Sequence, residues 1–287
     1  KEADHVVIMG HRMSDLDAIG AAEGVLRICK ICDVPAVIAV RRDATLAGSL
    51  INALIAAGQE DDFIDPKGAL PIISQRTLCI VVDTYQLGLV ESREILEKCG
   101  KVAVIDHHRK GVGFIEKADL VCHEPYASSA SELVTEFLQY VGDRDDKPNR
   151  IEAEGLLSGI MLDTRDFTLR TGVRTFEAAA ALRRYGAETE HVRQLFDVSM
   201  VEYTTKARLV SEAQMYRGCA ITVSGEVAPE ARVAIAQAAN DLLTIQNVEA
   251  SFVAVQVGGG VNISARSLGA VNVQVIMEAL GGGGHQT

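Results

Sequence analysis

Four short apolar segments in the first half of the chain alternate with segments of helical pattern. The apolar segments are 5–9, 36–40, 78–82 and 101–105, and the helical patterns are 18–32, 46–57 and 91–98. Strands that are apolar throughout, rather than alternately apolar and polar, are typical of a parallel sheet that helices cover on both faces. The first half therefore predicts an α/β domain built on a parallel sheet.

The second half changes character twice. Helices are predicted over 129–141, 151–162, 174–185 and about 188–214, followed by strands at 219–223, 250–257 and 261–265 and helices at 230–243 and 271–280. Three glycines, Gly258 to Gly260, lie between two β-rich runs and predict a hairpin. We therefore predict a larger domain over 1–187, a helical linker over 188–215 and a smaller α/β domain over 216–287.

The overall composition excludes several classes of protein. The chain has 287 residues, which suits two domains, and 39 acidic against 28 basic residues give a net charge of −11. Proteins that bind long nucleic acids present a continuous basic surface. The Lys and Arg residues of this sequence form no cluster that would indicate one. No apolar run approaches the ~20 residues that a membrane span needs. The six cysteines are few and irregularly spaced, which favours reduced thiols in the cytoplasm.

Acidic residues and histidines follow three of the four predicted strands. His11, Asp15 and Asp17 follow the first strand, Asp83 the third, and 106–109 the fourth. The carboxyl ends of parallel strands form the edge of a sheet where ligands bind. A further carboxylate, Asp163, follows the apolar segment 155–162, which can pack as a helix onto the same edge.

Several carboxylates in one place repel one another, and burial adds a desolvation cost, so a cation is needed to offset both. Nitrogen and oxygen ligands without a thiolate suit Mn²⁺ or Mg²⁺, with Fe²⁺ and Co²⁺ as further choices. The two histidines argue against an all-oxygen Mg²⁺ or Ca²⁺ site. Two ions about 3.5–4 Å apart can activate water for in-line attack on a phosphoryl group. Each cluster alone is commonly a solvated loop or a helix cap, and only their combination indicates metals.

The order of these motifs resembles the DHH phosphoesterase superfamily. The motifs are His11-x-x-x-Asp15-x-Asp17, Val-Val-Asp83-Thr, Asp106-His107-His108 and Asp163, and the glycines before His285 resemble the hallmark of the associated DHHA1 domain. The longer segments 106–109, 124–129, 167–172, 263–268 and 272–276 are most similar to the catalytic portion of GdpP-type (YybT-type) cyclic-di-AMP phosphodiesterases.

The resemblance implies a parallel-sheet DHH domain that a helical linker joins to a smaller α/β DHHA1 domain, with the active site in the cleft between them. It implies two metal ions, for which we expect Mn²⁺. One ion would be bound by His11, Asp15 and Asp83, and the other by Asp17, Asp83, His107 and Asp163. Asp83 would bridge the ions and share the catalytic role with Asp106, which would orient the imidazoles, and with His108, which would lie beside the substrate phosphate.

The nucleotide would be held by residues from both domains. The expected contacts are Arg109, Ser264, Arg266, Gly282, Gly283, Gly284 and His285. Consecutive glycines leave backbone N–H groups open to phosphate oxygens. Because they directly follow a predicted helix, the same glycines can instead form its C-cap.

The activity implied by the resemblance is hydrolysis of a cyclic dinucleotide, cyclic di-AMP to 5′-pApA. A nanoRNase or pAp phosphatase of the same superfamily and a non-catalytic cyclic-dinucleotide sensor remain alternatives. We expect a small dinucleotide partner, no long nucleic acid and a homodimer. We also expect a membrane-anchored parent protein in which this segment makes no membrane contact. The resemblance also suggests that the DHHA1 domain is incomplete at its C-terminus.

Overall fold

The computed structural model describes residues 3–109, 113–142, 146–197, 200–227 and 232–282. The chain forms two compact units, Lys1–Phe196 and Asp197–Thr287. The boundary between these units falls inside the predicted linker 188–215. The division into a 1–187 domain, a linker and a 216–287 domain stays a prediction.

The first unit is built on a six-stranded sheet in which every strand pairing is parallel. Its strands are β1 (His5–Met9), β2 (Ala36–Ala39), β3 (Phe63–Ile64), β4 (Thr77–Val82), β5 (Lys101–Asp106) and β6 (Leu120–His123). They lie in the order β3-β2-β1-β4-β5-β6. The predicted parallel-sheet α/β fold is confirmed. The sequence does not predict β3 and β6, because β3 has only two residues and β6 offers only three consecutive apolar residues, 120–122.

Helices cover both faces of this sheet. They are α1 (Leu16–Ile31), α2 (Gly48–Ala56), α3 (Pro66–Ala69), α4 (Arg93–Lys98), α5 (Ala130–Leu138), α6 (Arg150–Thr164), α7 (Val173–Arg184) and α8 (Thr189–Gln194). Ile8 and Val82 belong to one core together with residues of α1, α5 and α6. Val7 and Val81 belong to a second core together with residues of α4. Successive strand residues point to opposite faces, so two covered faces require strands that are apolar throughout.

Glycines allow α6 to cross α1 at close range. A Cβ atom on Gly159 would lie 2.6 Å from the Asp17 Oδ1 atom, and a Cβ atom on Gly20 would collide with the backbone of Gly155. Any larger residue at these positions would push the two helices apart. The crossing brings the last turn of α6, which carries Asp163, to the first turn of α1.

The second unit contains a smaller sheet of mixed direction. Its elements are α9 (Met200–Ser211), β7 (Gln214–Tyr216), β8 (Cys219–Glu226), α10 (Arg232–Leu242), β9 (Ala250–Val257), β10 (Gly260–Ser267) and α11 (Val273–Ala279). The strand order is β10-β9-β8-β7, with β8 and β9 parallel and the other pairs antiparallel. Helix α10 packs on this sheet, and Val253 and Val255 lie in the shared core.

The predicted hairpin in the second unit is confirmed. Val257 pairs with Gly260 across the turn between β9 and β10. The two residues of the turn, Gly258 and Gly259, have φ angles of 55° and 82°. Two-residue hairpin turns of this kind need positive φ at both positions, which glycine adopts without strain.

The prediction of one helix over about 188–214 is wrong. The chain forms α8 and α9 instead, with Leu195 and Phe196 after the end of α8. Both side chains pack against the core of the first unit. Burying them there favours a bend in the chain over a continued helix.

Helix length also bears on membrane contact. Helix α1 has 16 residues and α6 has 15, against the ~20 that a bilayer requires. Within the described residues, none of the helices is both long and apolar enough to cross a membrane.

Candidate metal centre

Strands β1, β4 and β5 are neighbours in the sheet, and their carboxyl ends place the predicted site residues along one edge. His11 follows β1, Asp83 follows β4, and Asp106 is the last residue of β5. Asp163 reaches this edge from the last turn of α6, within the helix rather than after it as predicted. The expectation that these side chains gather at the carboxyl edge of the parallel sheet therefore agrees with the structure.

The first group of potential ligand atoms comes from His11, Asp15 and Asp83. The His11 Nε2 atom lies 3.8 Å from Asp15 Oδ1 and 3.4 Å from Asp83 Oδ2. Asp15 also forms the N-cap of α1, because its Oδ1 atom accepts hydrogen bonds from the backbone N–H groups of Asp17 and Ala18. One carboxylate oxygen thus fixes the helix start, which places Asp15 beside His11.

The second group comes from Asp17, His107 and Asp163. The His107 Nε2 atom lies 3.0 Å from Asp163 Oδ2, 3.8 Å from Asp17 Oδ2 and 3.3 Å from Asp83 Oδ1. In each of these two groups, and in a third made of Asp83, His107 and His108, the potential ligand atoms lie within 4.8 Å of one another. Asp83 contacts both groups and is therefore placed to serve two ions.

Asp83 lies where the chain turns sharply after β4. Its φ angle is 58°, in the left-handed region, and its backbone N–H donates to the Ile105 carbonyl. Asp tolerates this region better than most residues but still at some cost. The turn directs the Asp83 carboxylate between His11 and His107. The strained backbone conformation of Asp83 therefore occurs where its side chain contacts both histidines.

Two buried polar atoms at the centre support a cation site. Asp83 is 3% exposed and His107 is 4% exposed. Among the described residues, neither Asp83 Oδ1 nor His107 Nε2 forms a well-aligned hydrogen bond, although the two atoms lie 3.3 Å apart. Buried polar atoms whose hydrogen bonds are incomplete cost free energy, and a divalent ion would coordinate both atoms at once. The donor set therefore fits divalent metal ions.

Charge interactions within the centre are strong. Burial alone would lower the pKa values of the histidines, but the carboxylates around them raise the pKa of His11 to about 10 and that of His107 to about 11. Burial favours the neutral acid at Asp83, yet contacts with His107 and His11 hold the pKa of Asp83 below its usual value. Burial and the carboxylates of Asp83 and Asp163 raise the pKa of Asp17. Protonated imidazoles thus balance the carboxylates when no metal is bound.

Asp17 has a second set of partners that the sequence does not reveal. Its Oδ2 atom accepts from the Ala130 backbone N–H at 2.8 Å, and its Oδ1 atom accepts from that of Ser131 at 2.9 Å. These N–H groups open helix α5, whose N-terminal end attracts negative charge. The contact ties the metal centre to α5, and only the tertiary fold brings these segments together.

Asp106 and His108 lie next to the two groups. The His108 Nδ1–H group donates to Asp106 Oδ1 at 2.8 Å, and the Asp106 side chain is fully buried. The His108 side chain is half exposed, and its Nδ1 atom lies 3.6 Å from Asp83 Oδ1. Asp106 therefore orients the His108 ring, and His108 has an open side toward solvent.

The predicted nucleotide contacts are spread over both units. Arg109 is exposed beside His108, and Ser264 and Arg266 lie on β10, where the Arg266 Nε–H group donates to Asn240 Oδ1. The Gly282 N–H group donates to the Met277 carbonyl and so helps to end α11, which is the C-cap alternative. Gly283, Gly284 and His285 lie outside the described residues. These contacts stay predictions.

Sequence reasoning missed two side chains beside the centre, Tyr85 and His123. The Tyr85 hydroxyl donates to the Arg109 carbonyl, and His123 Nε2 contacts the His108 carbonyl. His123 ends β6 and so obeys the strand-end rule that located the other residues. Recognising 120–123 as a strand would have identified it.

Metal binding is expected to strengthen as pH rises. At neutral pH the metal-free His11 and His107 hold protons, because their pKa values are about 10 and about 11, and a cation must displace these protons. Each displaced proton makes the apparent affinity rise about tenfold per pH unit. Calorimetric titration of Mn²⁺ into metal-free protein at pH 6, 7 and 8 measures this dependence. Equal dissociation constants at pH 6 and pH 8 would show that no proton is displaced.

Comparison with known proteins shows which family this chain resembles. The DHH family, N-terminal domain, matches residues 5–160, and the DHHA1 domain matches residues 227–287. The cyclic-di-AMP phosphodiesterase GdpP of Geobacillus thermodenitrificans is 47% identical over 291 residues, which cover 100% of this chain and 44% of that protein. The cyclic-di-AMP phosphodiesterase PdeA of Listeria monocytogenes is 42% identical over 289 residues, 99% of this chain and 44% of that protein. The chain thus spans less than half the length of these relatives.

A solved structure shows the same fold. An exopolyphosphatase-related protein from Bacteroides fragilis matches 99% of this chain and 86% of its own, with a TM-score of 0.82 and 21% identity. At that identity the likeness concerns the fold alone. The family match over residues 5–160 covers more than half of the chain, and this protein therefore belongs to the DHH family.

Proposed function

We propose that this chain hydrolyses a phosphodiester bond of a cyclic dinucleotide, cyclic di-AMP to 5′-pApA, with two divalent metal ions, Mn²⁺ by preference. The observation that carries the proposal is the pair of neighbouring ligand groups, one of which contains Asp83 while the other contacts Asp83 through His107 at 3.3 Å. The similarity to two cyclic-di-AMP phosphodiesterases over essentially the whole chain supports the choice of substrate.

The ligands divide between the two ions along the observed groups. His11, Asp15 and Asp83 would hold one ion. The other would be held by Asp17, His107 and Asp163 together with Asp83, which lies 3.3 Å from His107. When bound, the ions supply a water of lowered pKa and neutralise charge that develops on the phosphoryl group. The contacts of Asp83 with His11 and of Asp163 with His107 would help to keep these ligands in place before the ions bind.

The residues around the ions would position the substrate. The half-exposed His108 ring is free on its solvent side to contact a phosphate oxygen, and Asp106 holds that ring by its Nδ1–H group. Because this hydrogen bond fixes the ring orientation, the opposite nitrogen faces away from Asp106. We assign Arg109, Ser264, Arg266, Gly282, Gly283, Gly284 and His285 to the rest of the nucleotide. A homodimer, a cytoplasmic location and a membrane-anchored parent protein also stay predictions.

One assay separates the proposal from its rivals. Metal-loaded protein is incubated with cyclic di-AMP, cyclic di-GMP, pApA or pAp, and the products are resolved by chromatography. The proposal expects pApA from cyclic di-AMP as the fastest reaction. Faster turnover of pApA or pAp would favour a nanoRNase or pAp phosphatase. Tight binding of cyclic di-AMP without turnover would favour a sensor.

Substrate length is expected to limit the rate. The net charge of −11 repels polyanions, and the repulsion grows with each phosphate that no metal or specific donor engages. A cyclic dinucleotide has only two phosphates, whereas a 20-mer would bring many unpaired ones over an acidic surface. We expect at least about tenfold slower cleavage of a single-stranded 20-mer than of cyclic di-AMP.

Rates for the two substrates are compared at physiological and at high salt. Salt screens the repulsion between the acidic protein and the 20-mer, so added salt should reduce the difference between the two cleavage rates. Equal rates at physiological salt would show that the acidic charge lies away from the substrate path.

A further inference from the structure

Two side chains, one after the end of β4 and one at the end of β6, contact the backbone that carries His108 and Arg109. The Tyr85 hydroxyl donates to the Arg109 carbonyl at 2.6 Å. The His123 Nε2 atom lies 2.5 Å from the His108 carbonyl. Two successive carbonyl groups of the segment after β5 are thus both held from outside that segment.

Tyr85 and His123 also contact each other. Their rings meet edge to face, with centroids 5.6 Å apart and an interplanar angle of 82°. This geometry is favourable for aromatic pairs. Tyr85 lies after the end of β4 and His123 ends β6, so the pair spans the end of β5 between them.

The pair is held firmly in place. Tyr85 is only 5% exposed, and its carbonyl accepts from the Ile115 N–H group at 2.8 Å. His123 is aligned with Asp106 in the register of β5 and β6, and Glu124 donates to the Asp106 carbonyl at 3.0 Å. His123 therefore projects from the sheet, and Tyr85 projects from a loop that a backbone hydrogen bond fixes, so both side chains can restrain the segment that they contact.

We propose that Tyr85 and His123 are positioning residues that hold His108 and Arg109 toward the substrate. The inference rests on the proposed function, which assigns His108 to the substrate phosphate. Asp106 fixes the rotation of the His108 ring, whereas Tyr85 and His123 fix the backbone from which the ring projects. Both restraints are needed, because a shift of about 1 Å in a group that contacts the reacting atoms can reduce a rate by two orders of magnitude.

The chemistry of the two contacts suggests selective variants. A carbonyl oxygen only accepts, so the His123 Nε2 atom must carry the proton in this contact. Glutamine keeps an N–H donor at a similar distance, whereas leucine does not. Tyr85→Phe removes a hydroxyl group and keeps the ring. Val121 lines the same cavity of about 230 Å³ as Tyr85 and His123, so Val121→Ala controls for packing in this region.

The experiment measures kcat and KM for cyclic di-AMP, metal content, and amide hydrogen exchange of the 106–109 segment. Tyr85→Phe and His123→Leu are each expected to lower kcat about tenfold, with metal content unchanged and faster exchange of the segment. His123→Gln should recover most of the lost rate. Val121→Ala should match the wild-type protein in every measurement.

Two results would overturn the inference. One is wild-type kcat and wild-type exchange in both Tyr85→Phe and His123→Leu. The other is His123→Gln as slow as His123→Leu, because the donor would then be irrelevant. If the wild-type protein does not cleave cyclic di-AMP, the proposed function fails, and the exchange measurement still decides whether the two side chains hold the segment.

Discussion

Replacing Asp83 by asparagine is expected to reduce turnover of cyclic di-AMP by at least about a thousandfold, the largest loss among the metal-ligand variants. Asp83 contacts both His11 and His107, so the loss of its charge weakens both ligand groups at once. Asparagine keeps the shape of the side chain and tolerates the positive φ angle of this position, 58°. Alanine would add backbone strain to the chemical change, so it is the less informative substitution.

Two matched variants act as controls for Asp83→Asn. Asp15→Asn keeps an oxygen that can cap α1, and Asp163→Asn keeps the volume of the side chain. Each of these residues belongs to only one ligand group, so both losses should be smaller than that of Asp83→Asn. Elemental analysis of the purified variants should show the same order in metal content. Wild-type turnover in the Asp83→Asn protein would show that Asp83 is not an essential metal ligand.

Removal of metal by chelation is expected to abolish the activity, by about a thousandfold or more. Without cations the site keeps its protonated histidines and offers no means to activate water or to neutralise a phosphoryl group. Turnover is measured after treatment with EDTA and desalting, and again after addition of Mn²⁺, Mg²⁺, Co²⁺ or Zn²⁺.

The ligand chemistry predicts which metal ion restores the activity best. A mixed imidazole and carboxylate set favours recovery with Mn²⁺ over recovery with Mg²⁺, which prefers oxygen ligands alone. Folding of the metal-free protein is checked by circular dichroism, so that loss of metal is distinguished from loss of structure. Full activity in the presence of EDTA would exclude a metal-dependent reaction.

The sequence predicts which side chains gather at the sheet edge because of how parallel sheets are built, and their binding of metal stays a prediction. Strands that are buried on both faces are visible as apolar runs, and the residues at their carboxyl ends must share one edge. His11, Asp83 and Asp106 are located by this rule alone, without knowledge of the loops between them. Asp163 is located less securely, because it depends on how α6 crosses α1.

The remaining features depend on contacts that no local pattern shows. Asp17 accepts from the first turn of α5, which lies more than a hundred residues away in sequence. The positive φ angle of Asp83 arises from the turn that its strand makes at the sheet edge. Strand β6 has only three consecutive apolar residues, so the sequence does not reveal it or the contact of His123 with His108. The end of α8 coincides with the packing of the partly buried Phe196 against the core of the first unit, a tertiary contact that the helical pattern does not show.

The count of tightly bound ions per chain tests the central claim most directly. Metal-free protein is equilibrated with Mn²⁺ at pH 8, passed through a desalting column and analysed for manganese and protein by mass spectrometry. One ligand group that contains Asp83, and a second group that Asp83 contacts through His107, predict two ions per chain in the wild-type protein and a clear loss in Asp83→Asn. A wild-type protein that retains one ion or none, and still cleaves cyclic di-AMP at full rate, would contradict the two-metal centre.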